Sequence, residues 1–400
     1  MENCKFINSL KIQNLLSYGL SEEKIDLKSL NVIIGTNGSG KSNLIEILGL
    51  LQSIPTDLTK TIREGGGINE WLWKGDQEMP TAQIEAVVHC PGLQIPLRYR
   101  VDFTIVGQRL ELIDEAIEEE YPKNPRAKDV FFYYRYRQGN PVLNIKTEST
   151  KGTPRQRQLR REDLKPDQSV LSQRKDPDLY PELTYLSNTF SQIRLYRDWN
   201  VGRYTSARLP QKLDLPEDFL LEDWSNLGLV LNNLQHLIGT RIIVDNLQKF
   251  YEPVEDITTK IAGGTVQIFL HEKGINQPIP TTRLSDGTLR YLCLLTILLH
   301  PSPPPLICIE EPELGLHPDI LPTVGELLIE ASQRTQLVVT THSDALVSAL
   351  SEIPESVLVC ERDGRGSKMR RLEAKNLEHW LKDYSLGDLW RMGELGGNRW

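Results

Sequence analysis

Apolar positions along this chain change their period several times, and each change marks a different kind of element. Leu30-Asn31-Val32-Ile33-Ile34 is a short, nearly unbroken apolar run, the pattern of a strand buried on both faces. Over 42–51 the period lengthens, and Leu44, Ile45, Leu48 and Leu51 share one face of an expected helix. From about 80 to 145 the pattern alternates, as in Ala82-Gln83-Ile84-Glu85-Ala86-Val87-Val88, which predicts an antiparallel β subdomain. Around 218–251, Leu227, Val230, Leu231, Leu234, Leu237 and Ile238 recur at helical spacing. Strand and helix then alternate: a strand over 263–270, a helix over 287–299, a strand at 306–309, a helix near 319–332, and strands at 336–340 and 357–360. No sustained heptad, internal repeat or low-complexity tract interrupts this order.

The punctuation between these elements carries the chemistry. Gly35-Thr36-Asn37-Gly38-Ser39-Gly40-Lys41-Ser42 joins the first strand to the first helix and matches Gly-x-x-x-x-Gly-Lys-Ser without a mismatch. Such a loop wraps phosphates with inward-pointing N–H groups at a helix N-terminus. Lys41 is expected to bridge the β- and γ-phosphates and Ser42 to ligate Mg²⁺, with Asn37 and Ser39 shaping the loop and touching the γ-phosphate. The strand at 306–309 ends in Glu310-Glu311, two carboxylates at the end where α/β folds hold ligands. Glu310 is expected to orient the metal shell and Glu311 to polarise the attacking water. His342 follows the strand Gln336–Thr340 and can sense the γ-phosphate. Ser285 and Gly287 open a helix, where a small hydroxyl and a Gly present donors to an anion; they read as a γ-phosphate cap supplied by another subunit.

Composition narrows the class. The 400 residues are 39% hydrophobic and 25% charged, enough for a large α/β core with insertions. No apolar run approaches the ~20 residues of a membrane span. Five cysteines without a Cys-x-x-Cys pair, and an N-terminus unlike a signal peptide, predict a reduced, cytoplasmic chain without zinc or disulfides. A net charge of −8 argues against a protein that coats nucleic acid. A basic stretch over 151–165 (Lys151, Arg155, Arg157, Arg160, Arg161, Lys165) reads either as a DNA path or as a solvated loop. In the tail, Leu377, Trp380, Leu381, Tyr384, Leu389 and Trp390 read either as packing on the body of the protein or as a partner contact.

Taken in order, these residues resemble the ABC-type ATPases of the RecF, SMC and OLD group. The resemblance implies an α/β fold: a P-loop ABC-type ATPase core, a split nucleotide-binding domain, with an antiparallel β subdomain and a helical insertion. It implies a core part with the phosphate loop at 1–60, a β-rich subdomain at 61–150, and a basic loop, Gln loop and helical insertion at 151–260. The signature, acidic strand, D-loop and switch His fall at 261–360 and a Trp-rich tail at 361–400. Within Ser169-Val170-Leu171-Ser172-Gln173, Gln173 is similar to the Gln-loop residue that contacts Mg²⁺ and water, with Gln192 as the alternative. Glu313-Leu314-Gly315-Leu316-His317-Pro318 is similar to the D-loop of the OLD-like branch. Glu310 stands where the family usually has Asp. A long coiled coil, a zinc hook and a TOPRIM nuclease domain are not recognisable, so the chain resembles a stand-alone bacterial branch. The implied ligands are ATP and Mg²⁺. The implied partners are a second copy on ATP binding, a separately encoded nuclease or toxin effector, and DNA. The expected function is an ATP-driven dimerisation switch in anti-phage defence or DNA maintenance. A nucleotide-holding sensor or scaffold with little turnover is the alternative.

Overall fold

The computed structural model describes residues 5–75, 80–123, 129–137, 140–145, 155–158 and 164–397. A six-stranded sheet forms its centre, in the spatial order Arg194–Tyr196, Leu306–Glu310, Gln336–Thr340, Leu30–Ile34, Val357–Asp363 and Gly366–Arg371. All but the last pair in parallel; Gly366–Arg371 closes the edge as an antiparallel hairpin. Side chains alternate across each strand. Ile33, Cys308, Val338 and Leu358 enter one core with Leu44, Ile47 and Leu48 of the helix Lys41–Ser53. Ile34, Ile307, Ile309, Val339 and Val359 enter the other, against the helices Asp286–Leu298, Leu321–Ala331 and Asp344–Ser348. The near-continuous apolar runs in the sequence are therefore two interleaved faces, each buried.

Register decides where the chemistry gathers. Glu310 pairs with Thr340, Thr340 with Ile33, and Val359 with Ile34. The carboxyl ends of these strands lie level, and the loops carrying Lys41, Glu311 and His342 leave from one edge.

An eight-stranded, wholly antiparallel sheet covers the helix Lys41–Ser53. Its β-rich layer extends beyond the expected 61–150. Glu23–Asp26 forms its edge, paired to Ile7–Gln13, which in turn pairs with Ala82–Val88. Pairing across seventy residues leaves no trace in local periodicity. The order continues through Leu97–Val106, Arg109–Glu119, Phe132–Arg137, Asn140–Ile145 and Arg155–Gln158. Arg155 and Arg157 of the basic stretch thus belong to an edge strand, while Lys151, Arg160 and Arg161 lie outside the described residues.

The helical segment expected over 218–251 is two helices, Leu227–Ile238 and Thr240–Phe250, broken at Gly239, whose φ of 85° suits glycine. They pack on a small antiparallel sheet of Gln211–Lys212, Val254–Ala262, Thr265–Glu272 and Ile279–Pro280. The tail folds onto the body. Leu386, Leu389, Trp390 and Leu395 are buried in the second core, and Trp380 and Tyr384 stay 41% and 40% exposed. Among the described residues, Cys90, Cys293, Cys308 and Cys360 are buried and form no disulfide. No helix among them is long and apolar enough to cross a membrane.

Candidate functional site

The phosphate loop is built by backbone that only glycine tolerates. Gly35, Gly38 and Gly40 have φ of 148°, 77° and 113°. A Cβ on Gly35 would lie 2.2 Å from the carbonyl oxygen of Cys360, and one on Gly40 2.2 Å from Ser367 Oγ. Lys41 is buried and folds its own charge into the loop, donating to the carbonyls of Gly35 (2.8 Å) and Thr36 (3.0 Å). Burial pulls its pKa below the usual lysine value, against the raising influence of Cys360, Glu311, Glu310 and Glu313 nearby. Asn37, Gly38 and Ser42 are exposed at the lip. Ser39 is buried, and its Oγ has no hydrogen-bond partner among the described residues.

The acidic strand end meets this loop through the switch segment. Glu311 has a left-handed φ of 47°, strained for a non-glycine residue, and its N–H donates to Thr340 O at 3.0 Å. That turn brings its carboxylate to 3.6 Å from His342 Nε2. Burial and then Lys41 hold the His342 pKa below its ordinary value, against Glu311. The imidazole is therefore neutral near pH 7 and has an N–H to donate. Trp199 Nε1 donates to Glu310 O at 2.6 Å from the end of the neighbouring strand, whose next residue, Arg197, lies 4.0 Å from Glu46. Glu313 accepts from Thr341 Oγ1 (2.8 Å) and from the N–H of His342 (2.6 Å). Burial raises its pKa.

Ser285 and Gly287 form a second, separate centre. Ser285 caps the helix Asp286–Leu298, accepting from the N–H of Thr288 at 3.0 Å. Arg208 is buried behind it and donates to the carbonyls of Val201 (2.6 Å), Thr281 (3.1 Å) and Leu284 (2.6 Å), and to Asp286. Arg290, one turn on, donates to Leu314 O at 2.6 Å and Trp199 O at 3.0 Å. A Cβ on Gly287 would sit 3.0 Å from Gly315 O. Ser285 opens on a cavity of about 600 Å³, edged by Lys249, Arg283, His317 and Asp319, with no phosphate-loop residue in its wall.

The two candidate glutamines are held by contacts within their own segments. Gln173 turns its amide into its own loop: Nε2 donates to Gln168 O at 2.9 Å and Oε1 accepts from the N–H of Lys165 at 2.9 Å. The loop is itself anchored in the β layer, where buried Glu115 accepts from Tyr99 Oη (2.8 Å), Val170 N (3.0 Å) and the Ser169 hydroxyl. Gln192 ends the helix Pro181–Ser191, before the strand Arg194–Tyr196. Arg194 pairs with Ile307, so Gln192 lies at the amino end of the sheet, away from the acids. Neither glutamine is brought to Lys41 by a hydrogen bond in this structure. Periodicity cannot say which end of a strand a loop residue joins. Trp199, Arg208 and Arg290 leave no local sign in the sequence, whereas Glu313 opens the D-loop-like segment beside the acidic pair.

The tail also reaches the site. The helix Leu386–Met392 lies so close to the switch helix that a Cβ on Gly387 would be 2.2 Å from Asp344 O. Arg391 Nε sits 3.2 Å from Asp344 Oδ2. Further on, the Gly397 N–H donates to Glu361 at 2.9 Å, and a Cβ on Gly397 would be 3.2 Å from Gly35 Cα.

A phosphate loop, a level acidic strand end and a switch histidine on a parallel sheet, with an antiparallel layer beside it, define an ABC-type ATPase of the RecF, SMC and OLD kind. Residues 30–348 match the family described as "AAA domain, putative AbiEii toxin, Type IV TA system", and the chain belongs to that family. The fold is similar to an SMC head solved with the C-terminal winged-helix domain of ScpA (TM-score 0.58, 14% identity, 93% of this chain and 99% of that one). It is also similar to the SMC head from Pyrococcus furiosus (TM-score 0.52, 12% identity, 94% and 99%). The Old nuclease of Escherichia phage P2 is 27% identical over 150 residues, 34% of this chain but only 25% of that protein.

Proposed function

We propose that the chain is a Mg²⁺-dependent ATP hydrolase that closes into a head-to-tail dimer when ATP binds. The observation carrying this reading is the separation of the two centres: Ser285 offers a capped helix end beside a cavity whose wall holds no phosphate-loop residue. Each composite site joins Lys41, Ser42, Glu310, Glu311 and His342 of one copy to Ser285 and Gly287 of the other. The residues fit the nucleotide: Ser39 Oγ and Thr340 Oγ1 are buried without partners, and Lys41 is bonded only to loop carbonyls that it can release. They fit the metal as well. Ser42 offers a hydroxyl and Glu310 a carboxylate, the hard oxygen donors Mg²⁺ takes, one or two from the protein with phosphate and water completing its shell. Ser42 and Glu310 would hold it, and when bound it would neutralise phosphate charge. Glu311 accepts from the attacking water, while neutral His342 donates to the γ-phosphate.

Closure is read as the signal, passed to DNA or to an effector in defence or DNA maintenance. The family description and the Old nuclease similarity support that direction. Glu310 in place of the usual Asp supports the second reading, a nucleotide-holding scaffold with slow turnover. Glu311→Gln is expected to cut phosphate release at least ~100-fold and to accumulate dimer with ATP by size measurement. Equal dimer content in variant and wild type would sink the closure model. Phosphate release by wild type no faster than by Lys41→Ala would favour the scaffold.

A further inference from the structure

Arg197 is a cation at the strand ends to which the chemistry above gives no part. It directly follows the strand Arg194–Tyr196, and Tyr196 pairs in parallel with Ile309, so the next step sets Arg197 level with Glu310. Alternation along the strands gives its direction. Leu195, Cys308 and Val338 enter the core shared with the phosphate-loop helix, so Arg197, Glu310 and Thr340, two residues on, turn to that same side. We propose that Arg197 is a catalytic residue: its guanidinium swings onto the γ-phosphoryl group of the bound nucleotide and neutralises the charge that builds there during transfer. The inference rests on the hydrolase reading and adds a cation that this reading does not contain.

The side chain is poised rather than tied down. Arg208 and Arg290 donate to main-chain carbonyls at 2.6–3.1 Å. Arg197 has a looser partner: its Nη1 lies 4.0 Å from Glu46 Oε1, too far for a hydrogen bond. Its Nε is buried without a hydrogen-bond partner among the described residues. Gly49 borders the resting place, where an added Cβ would lie 3.6 Å from Nη2. Glu46 and Gly49 both belong to the phosphate-loop helix, and Glu46 stands one turn after Ser42, about 6 Å along the axis. A change of rotamer along the arginine stem carries the guanidinium over that distance to the helix N-terminus, where the loop would hold the phosphates.

Charge accounts for both the resting pose and its release. Burial raises the Glu46 pKa, Arg197 pulls it down and Glu310 pushes it up, so the arginine is the counter-ion of two crowded carboxylates in the free chain. A γ-phosphoryl group beside Glu310 is a denser anion than the half-exposed Glu46, and a planar guanidinium takes it through two parallel N–H bonds. In the transfer a water oxygen bonds to the γ-phosphorus while the bond to the β,γ-bridging oxygen breaks. That oxygen keeps the electron pair and leaves on the diphosphate, and the water proton passes to Glu311. Arg197 exchanges no proton; its donors face the non-bridging oxygens. Strand order puts it on the far side of Glu310 from the phosphate loop, so Lys41 and Arg197 flank the acids from opposite sides.

The test measures phosphate release, ATP affinity and capture of ADP with aluminium fluoride and Mg²⁺, all on the full chain. Arg197→Ala should lower turnover at least ~100-fold. Its ATP dissociation constant should stay within about threefold of wild type, because the contact belongs to the transition state, and aluminium fluoride capture should be lost. Arg197→Gln, which keeps a stem for packing without the charge, should repeat both effects. Arg197→Lys keeps the charge without the fork and should fall between Arg197→Ala and wild type. ATP affinity falling as far as turnover, with Arg197→Lys no better than Arg197→Ala, would overturn the proposal and make Arg197 a structural partner of Glu46. An active wild type matched by Arg197→Ala overturns the arginine alone. A wild type that releases phosphate no faster than Lys41→Ala overturns the hydrolase reading, and the arginine with it.

Discussion

The region around Lys41 and the region around Ser285 settle their polar groups in opposite ways. Around Lys41 the loop is self-satisfied: the ammonium is spent on the carbonyls of Gly35 and Thr36, and a phosphate must displace them. Around Ser285 the frame is built in advance: Arg208 holds three backbone carbonyls and Asp286, and Arg290 braces the helix to Leu314 and Trp199. One half exchanges internal contacts for ligand contacts, and the other presents a finished surface. In the proposed shared site this asymmetry would let the phosphate loop rearrange around the nucleotide while the Ser285 region docks as it stands.

The comparison breaks most readily at Lys41. Lys41→Ala should lower phosphate release by about 10²–10³-fold, as loss of a transition-state donor does, while thermal melting shows the rest of the fold intact. A variant that keeps wild-type turnover would remove the lysine from the chemistry. On the other side, Arg208→Ala should cost stability, about 3 kcal/mol in urea unfolding, because a buried charge-assisted network loses its centre. ATP affinity of the monomer should stay near wild type. Affinity falling as far as in Lys41→Ala would mean that the halves are not independent.

Two glycines sharpen the contrast. Gly40→Ala forces a Cβ against Ser367 at a φ of 113°, so about 1–3 kcal/mol of strain should appear in the free chain. Gly287 is helical, and an added Cβ meets Gly315 O at 3.0 Å and Phe250 Cζ at 3.4 Å. Gly287→Ala should therefore melt close to wild type, since helix propensity offsets the contact by up to ~1 kcal/mol, yet impair ATP-dependent association. Association at the wild-type level would place Gly287 away from the docking face.

The smallest expected effect is a titration. His342 has a folded-state pKa below the unfolded reference of 6.5, so its neutral form is the one the fold accommodates. The associated stability is present above 6.5 and is lost as pH falls through the lowered folded value. Burial is the main cause and Lys41 the next, so Lys41→Ala should raise the imidazole pKa, as followed by NMR. A bound triphosphate should raise it as well. No movement in either case would separate His342 electrically from the phosphate loop.

How much of this was legible beforehand depended on range. That Lys41, Glu310, Glu311 and His342 gather at one edge of the sheet could be read from the sequence, because each lies at or soon after a strand end and parallel register brings those ends level. The place of Gln173 could not. Its fate was decided by Glu115, a buried carboxylate on a strand far upstream that anchors Ser169 and Val170 and leaves the glutamine amide to cap its own loop. Trp199 and Arg208 carried no local signal either, being a loop tryptophan and a loop arginine until their partners at Glu310, Thr281 and Leu284 are seen.

The sequence by itself determined the elements, the phosphate loop and the order of its companions, because glycine conformation, strand burial and helix period are properties of a few neighbouring residues. Tertiary structure alone decided that Ser285 borders a cavity with no phosphate-loop residue in its wall. It also decided that the tail helix Leu386–Met392 packs against the helix Asp344–Ser348. Those facts come from pairings tens to hundreds of residues apart, in which each residue acquires its role only from what the fold sets against it.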